Sequence, residues 1–152
     1  MDRFSSARSG EGGKPCAFCA IVGGERPAAR VFEDELTLAI LDHSPLAIGH
    51  VLLMPKAHVA TLPELDNAAL TAVAQGARAL AAALPRALEA DGSFVAQNNV
   101  VSQSVPHLHV HLVPRWRGDR LFSHNLSWRR VRYRDEAQMA ETAARIAAAL
   151  QA

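Results

Sequence analysis

From Val31 to Pro55 the chain alternates short β-branched or leucine-rich runs (VFEDE, LTLAILD, HSPLAIG, HVLLMP) with acidic, proline and glycine punctuation. That pattern predicts an antiparallel meander. Beyond Thr61 and Glu64, which fit a capping box, Leu70, Val73, Ala77, Leu80, Leu84 and Leu88 recur at helical spacing, and Pro85 should kink or end the helix. Ser93–Asn98 and His107–Val113 read as strands, the second strictly alternating. A last helix opens at Asp135 with Gln138 three residues on, and Met139, Ala143, Ile146 and Leu150 form its apolar stripe. The layout is α+β: an antiparallel sheet of about five strands, one long helix and a C-terminal helix. Residues 1–14 lack apolar periodicity and should form a flexible arm, leaving 15–152 as one domain with a C-terminal helical extension.

The 152 residues, 49% hydrophobic, suffice for one core and not for two ordinary domains. Sixteen Lys and Arg against fifteen Asp and Glu leave a formal charge of +1, which argues against nucleic acid or a membrane surface as partner. No apolar leader or membrane-length apolar run is visible, so a cytoplasmic location is expected. The two cysteines, Cys16 and Cys19, read better as half a metal site or a redox pair than as a disulfide framework.

The informative chemistry is the alternation of His107, His109 and His111 with Leu108, Val110 and Leu112. In a strand the three imidazoles share one face and the aliphatics the other. Such a row suits attack on a phosphorus or acyl centre, because neutral imidazole is nucleophilic near pH 7 and its protonated neighbours would stabilise developing negative charge. The residues alone leave two other readings open, ligation of a metal and satisfied structural histidines.

The run QSVPHLHVHLVPR (Gln103–Arg115) resembles the signature of the histidine triad (HIT) family, His-φ-His-φ-His-φ-φ with φ apolar. LDHSP (Leu41–Pro45) and GHVLLMPKAH (Gly49–His58) are similar to that family's nucleotide-binding first half, in the same order and spacing. The resemblance spans Pro15 to Arg115. It implies a HIT-like fold, a homodimer, and a hydrolase or nucleotidyltransferase acting at the α-phosphate of a nucleoside 5′-phosphate derivative. The implied substrates are an adenosine phosphoramidate or a dinucleoside polyphosphate, with adenosine the expected base. On the same resemblance the catalytic histidines are His107, His109 and His111, and His109 would form a covalent nucleotidyl-histidine without a metal in the chemical step. His111, Ser104 and Gln103 would hold phosphate oxygens and the leaving group, and Asp42 would accept from the ribose hydroxyls. From the residues alone Asp42 reads equally as a turn residue before Ser44 and Pro45. The chain departs from the family pattern at Asn98–Gln103, where many members carry a longer glycine-containing loop; Asn99, with Asn98 beside it, is the candidate replacement.

Some bacterial HIT proteins and the related uridylyltransferases place zinc between an early CxxC, a histidine of the first half and the first triad histidine. Cys16, Cys19, His58 and His107 occupy those positions, which implies a structural zinc. Reduced cysteines packed under the sheet, or a redox pair, are the competing readings. His43 and His50 are explained as strand ends, and His124 falls in an irregular tail. The Arg- and Trp-rich stretches Arg115–Arg117 and Trp128–Arg134 could contact nucleic acid, but in a near-neutral chain a solvated segment fits better, and one that shapes the leaving-group side of the site. Two other functional classes stay open: a purine-nucleotide-binding regulatory protein with vestigial catalysis, and a zinc-stabilised interaction module.

Overall fold

The computed structural model describes residues 15–122 and 129–152; the expected N-terminal arm, His124 and Trp128 lie outside them. The elements run α1 (Ala17–Val22), β1 (Arg30–Glu33), β2 (Thr37–Leu41), β3 (Val51–Pro55), a 3₁₀ turn (Leu62–Glu64), α2 (Asn67–Leu88), β4 (Gly92–Gln97), β5 (Val110–Arg115) and α3 (Glu136–Leu150). The strands form one five-stranded sheet in the order β1-β2-β3-β5-β4, antiparallel at every pairing. β1 to β3 are the expected meander. The return through α2 then places β5, which carries the triad, in the middle of the sheet beside β3.

β2 and β3 are buried on both faces, so their period-2 alternation separates two apolar layers instead of a core from solvent. Ala39, Leu41, Val51, Leu53, Val110 and Leu112 face α2 and α3, meeting Val73, Leu80, Leu84, Ala143 and Ile146. Leu38, Ile40, Leu52 and Met54 face the other way and meet Cys16, Phe18 and Ile21 at α1. Gly76 lets α2 approach the sheet closely, since a Cβ there would lie 3.2 Å from Leu53 Cδ2.

Four local expectations are corrected. Helix α2 is capped by Asp66, whose Oδ1 accepts from Ala69 N at 2.8 Å. Thr61 Oγ1 instead donates to Glu64 Oε1 at 2.7 Å across the preceding 3₁₀ turn. Pro85 neither ends nor interrupts α2, which continues to Leu88: it removes one intrahelical donor, while Ala83, Leu84 and Ala87 stay buried around it. The helix ends at Glu89, in the left-handed region at φ 54°. Leu70 is exposed, and Ala69 takes the inward position. Regular β5 starts at Val110, because His107 N donates to Val105 O and Leu108 N to Val59 O, so the ladder to β3 begins at Val110 opposite Leu53. Asp135 caps α3 as its sequence predicts, accepting from Gln138 N at 2.7 Å.

Candidate functional site

His111 lies opposite Leu52, and so on the face that α1 covers. There the Phe18 ring stands edge-on to His107 at 5.9 Å and to His109 at 5.0 Å. A cavity of about 1120 Å³ opens on this face, with Phe18, Ile21, Ile40 and Leu52 as an apolar wall and Asp42, Ser104, His109, His111 and Arg130 as polar lining. Gly49 gives the β2–β3 loop its sharp turn: its φ is +95°, and a Cβ would fall 2.3 Å from Leu88 Cδ1.

Hydrogen-bond partners assign each ring its tautomer. His109 Nδ1 lies 2.7 Å from the His107 carbonyl, which can only accept, so Nδ1 carries the hydrogen and the lone pair is on Nε2. His50 Nδ1 accepts from Leu46 N at 3.1 Å, which puts the His50 hydrogen on Nε2. That N–H donates to His111 Nδ1 at 3.0 Å and leaves neutral His111 with its own N–H on Nε2. The His109 and His111 ring centres are 4.9 Å apart. A nitrogen lone pair able to attack and an N–H able to hold an oxygen thus stand side by side.

The rings are held neutral, so the protonated neighbours expected from the sequence are replaced by neutral N–H donors. Burial lowers His109 below its ordinary value, although its bond to the His107 carbonyl and the Asp42 carboxylate favour the charged form. Burial first, then the neighbouring ring His109, pushes His111 down to about 4. His50, fully buried, is also pushed to about 4 by burial, so its 3.5 Å approach to Asp42 Oδ2 is not an ion pair. Asp42, His50 and His111 are close enough to hold a cation, yet both His50 nitrogens are already committed, to Leu46 and to His111.

Asp42 is buried at the cavity wall. Its Oδ1 accepts from Ser44 N at 2.9 Å, and its Oδ2 from Arg130 Nη1 at 2.9 Å. Gln103 and Asn99 are turned away from the cavity. Gln103 Nε2 donates to Ala60 O and its Oε1 accepts from Val100 N, while Asn99 Oδ1 accepts from Leu62 N and Gln97 Nε2. These bonds brace a loop in which Val100 and Ser102 adopt φ of 67° and 60°. Asn98 Nδ2 donates to Ser102 O in the same loop.

The ring of His107 points away from the cavity. Its Nε2 donates to Pro55 O at 2.8 Å, so the Nδ1 lone pair faces Cys16 Sγ at 3.5 Å and Cys19 Sγ at 3.6 Å; His58 Nδ1 lies 3.2 Å from Cys19 Sγ. The ligand atoms of Cys16, Cys19, His58 and His107 lie within 4.8 Å of one another and could hold a metal ion. A tetrahedral site with Zn–S of about 2.3 Å and Zn–N of about 2.0–2.1 Å has S···N edges of about 3.5 Å, close to the observed spacings. Burial, with the Cys16 side chain adding to it, pushes the Cys19 thiol up to about 12.

Sequence reasoning missed two participants. His50, explained as a strand end, is the residue that orients His111; the signal was its parity with Leu52, which pairs with His111. Arg130 belongs to the Trp128–Arg134 segment expected to shape the site, but the contact it makes there, on Asp42, is a long-range one that no local pattern predicts. His43, 3.9 Å from Asp42 Oδ1, is exposed.

Neutral imidazoles thus line one cavity beside a buried acid. Residues 23–118 match the HIT domain family model, and the chain belongs to that family. It is 33% identical over 137 residues to an adenylylsulfatase of Arabidopsis thaliana, covering 80% of this chain and 70% of the relative. Over 102 residues it is 37% identical to an adenosine 5′-monophosphoramidase of Saccharomyces cerevisiae, covering 66% and 62%. A zinc-bound histidine triad family protein from Mycobacterium smegmatis superposes with a TM-score of 0.77 at 38% identity, over 90% of this chain and 93% of that one. Among the described residues no helix is long and apolar enough to cross a membrane.

Proposed function

We propose that the protein cleaves nucleoside 5′-phosphate derivatives at the α-phosphate through a covalent nucleotidyl-histidine on His109. The observation that carries this reading is the pair of complementary tautomers, a lone pair on His109 Nε2 beside an N–H on His111 Nε2. The lone pair forms the N–P bond as the bond to the leaving group breaks, and the leaving group takes up a proton from solvent. His111 and Ser104 hold the phosphate oxygens, and water or another acceptor then breaks the N–P bond and regenerates the ring. Asp42 accepts from the ribose hydroxyls, and the apolar wall of Phe18, Ile21, Ile40 and Leu52 takes a purine, adenosine first. Gln103 and Asn99 act on the phosphate by shaping the loop that ends at Ser104.

A zinc ion held by Cys16, Cys19, His58 and His107 supplies a fixed anchor for the triad strand and takes no part in the chemical step. The protein acts as a cytoplasmic homodimer with neither nucleic acid nor membrane as partner; β4 is an edge strand and Val95 on it is exposed, which supports self-association. The names of the Arabidopsis and yeast relatives support adenylyl sulfate and adenosine phosphoramidate as compounds to try beside a diadenosine polyphosphate. Release of adenosine monophosphate is measured for wild type and His109→Ala. Turnover by wild type and its loss in the variant is the expected outcome. Equal turnover by both would overturn the nucleophile, and nucleotide binding with no turnover of any compound would favour a regulatory binding protein.

A further inference from the structure

The segment that follows the triad strand crosses the β2–β3 loop and is fixed there without help from the Arg130 side chain. Val131 N donates to Pro45 O at 2.8 Å, and Gly49 N donates to Tyr133 Oη at 3.2 Å. Immediately before the first of these anchors Arg130 lays Nη1 on Asp42 Oδ2 and on the Ser44 carbonyl. The carboxylate is 8% exposed, whereas the Arg130 side chain is 51% exposed and lines the cavity. A cation on this oxygen balances the charge of the buried acid, and because half of the Arg130 side chain is exposed it can also turn to an anion that the ligand brings.

We propose that Arg130 is a specificity-determining residue that lets the cavity accept a ribonucleotide carrying a second phosphate on its 2′ or 3′ oxygen. The inference rests on Asp42 as the ribose acid of the reading above. A ribose oxygen bound to Asp42 sits about 2.7 Å from the carboxylate, so a phosphate on that oxygen or its neighbour lies within reach of a guanidinium already at the same carboxylate. The exchange conserves charge pairing: Arg130 turns its fork from Asp42 to the phosphate, and the remaining hydroxyl donates to Asp42. Nucleotide sites elsewhere use an acid for a free ribose hydroxyl and an arginine for a ribose phosphate. Here both stand side by side, so one cavity serves both forms. Arg26, on the same cavity, adds positive charge.

The test is calorimetric titration of wild type, Arg130→Gln and Arg130→Lys with adenosine monophosphate and with its 2′- and 3′-phosphorylated forms, each variant's melting temperature confirming that it is folded. Wild type is expected to bind one phosphorylated form at least as tightly as adenosine monophosphate. In Arg130→Gln the affinity ratio of that form to adenosine monophosphate should fall about tenfold or more, the worth of a charge-assisted fork, with Arg130→Lys between. Wild type that binds adenosine monophosphate but rejects both phosphorylated forms overturns the inference alone, as does an unchanged ratio in Arg130→Gln. Wild type that binds none of the three overturns the nucleotide reading of the cavity, and this inference with it.

Discussion

His50 does two separable things with its two ring nitrogens, and two substitutions can take them apart. Asparagine places its amide oxygen near the position of Nδ1, so His50→Asn keeps an acceptor for Leu46 N and loses the bond to His111. Glutamine places its amide nitrogen near Nε2, so His50→Gln keeps a donor to His111 and leaves Leu46 N without its acceptor. The site is fully buried, and an amide N–H stranded there costs about 1–3 kcal/mol. His50→Gln should therefore be the less stable variant in urea unfolding yet keep kcat within about threefold of wild type. His50→Asn forfeits one orienting bond of about 0.5–1.5 kcal/mol, and the His111 tautomer with it, so kcat should fall about tenfold with a smaller loss of stability. The assay is kcat on whichever adenylyl compound turns over, beside the urea midpoint of each variant. If the two variants lose activity equally, or His50→Gln loses more, His111 is not held by His50 and the tautomer assignment fails.

The metal and the acid limb of stability give two further outcomes. Untagged protein should carry about one zinc per chain, and Cys19→Ser should lose it and lower Tm by about 5–15 °C, on the scale of a few kcal/mol for a domain of this size. Untagged wild type that carries no zinc as purified, or zinc-loaded wild type with the same Tm as Cys19→Ser, would remove the metal from the account. His50 and His111 have folded values near 4 against about 6.5 unfolded. Their neutral forms are the folded ones, so this contribution is complete above pH 6.5 and is lost progressively as pH falls from 6.5 to 4. Fully buried His50 sets a slope of up to about 1.4 kcal/mol per pH unit, and partly exposed His111 contributes less. The urea midpoint of wild type should drop between pH 7 and 4.5 more steeply than that of His50→Asn; parallel curves would contradict the assignment.

Much of this was legible from the chain because it lay in spacing. The meander, the long helix and the Asp135 cap follow from local periodicity, while the family resemblance, not the CxxC by itself, pointed at the cluster that the fold does assemble. What escaped was set by partners far along the chain. α1 is six residues long, too short for a helical period to show, yet Phe18 builds the cavity wall. The triad histidines read as one face of a regular strand, but the first two precede the ladder because Pro106 and the Val105 and Val59 carbonyls redirect the backbone. The rings consequently diverge, His107 toward the cysteines and His109 and His111 toward the cavity. Gln103 and Asn99 have the right chemistry for phosphate, but loop closure uses their amides first.

That divergence explains how one segment can serve a metal cluster and a reaction without mixing them. His107 is the joint. Its ring gives Nε2–H to Pro55 on β3 and turns Nδ1 to the two sulfurs, while its own carbonyl takes the hydrogen of His109. A ring fixed by ligands on one side and a β3 carbonyl on the other also fixes the peptide that follows it, and that peptide's oxygen keeps the His109 lone pair on Nε2. His111 is set separately, from β3's entry, by His50 and the Leu46 amide. Two independent supports, one through His107 and one through His50, thus hold His109 Nε2, the proposed attacking nitrogen, and the His111 Nε2–H in fixed relation. Neither support requires a metal to touch the phosphate, which is why a structural ion held by His107 would sit two residues from the proposed nucleophile and still leave the chemistry to imidazole.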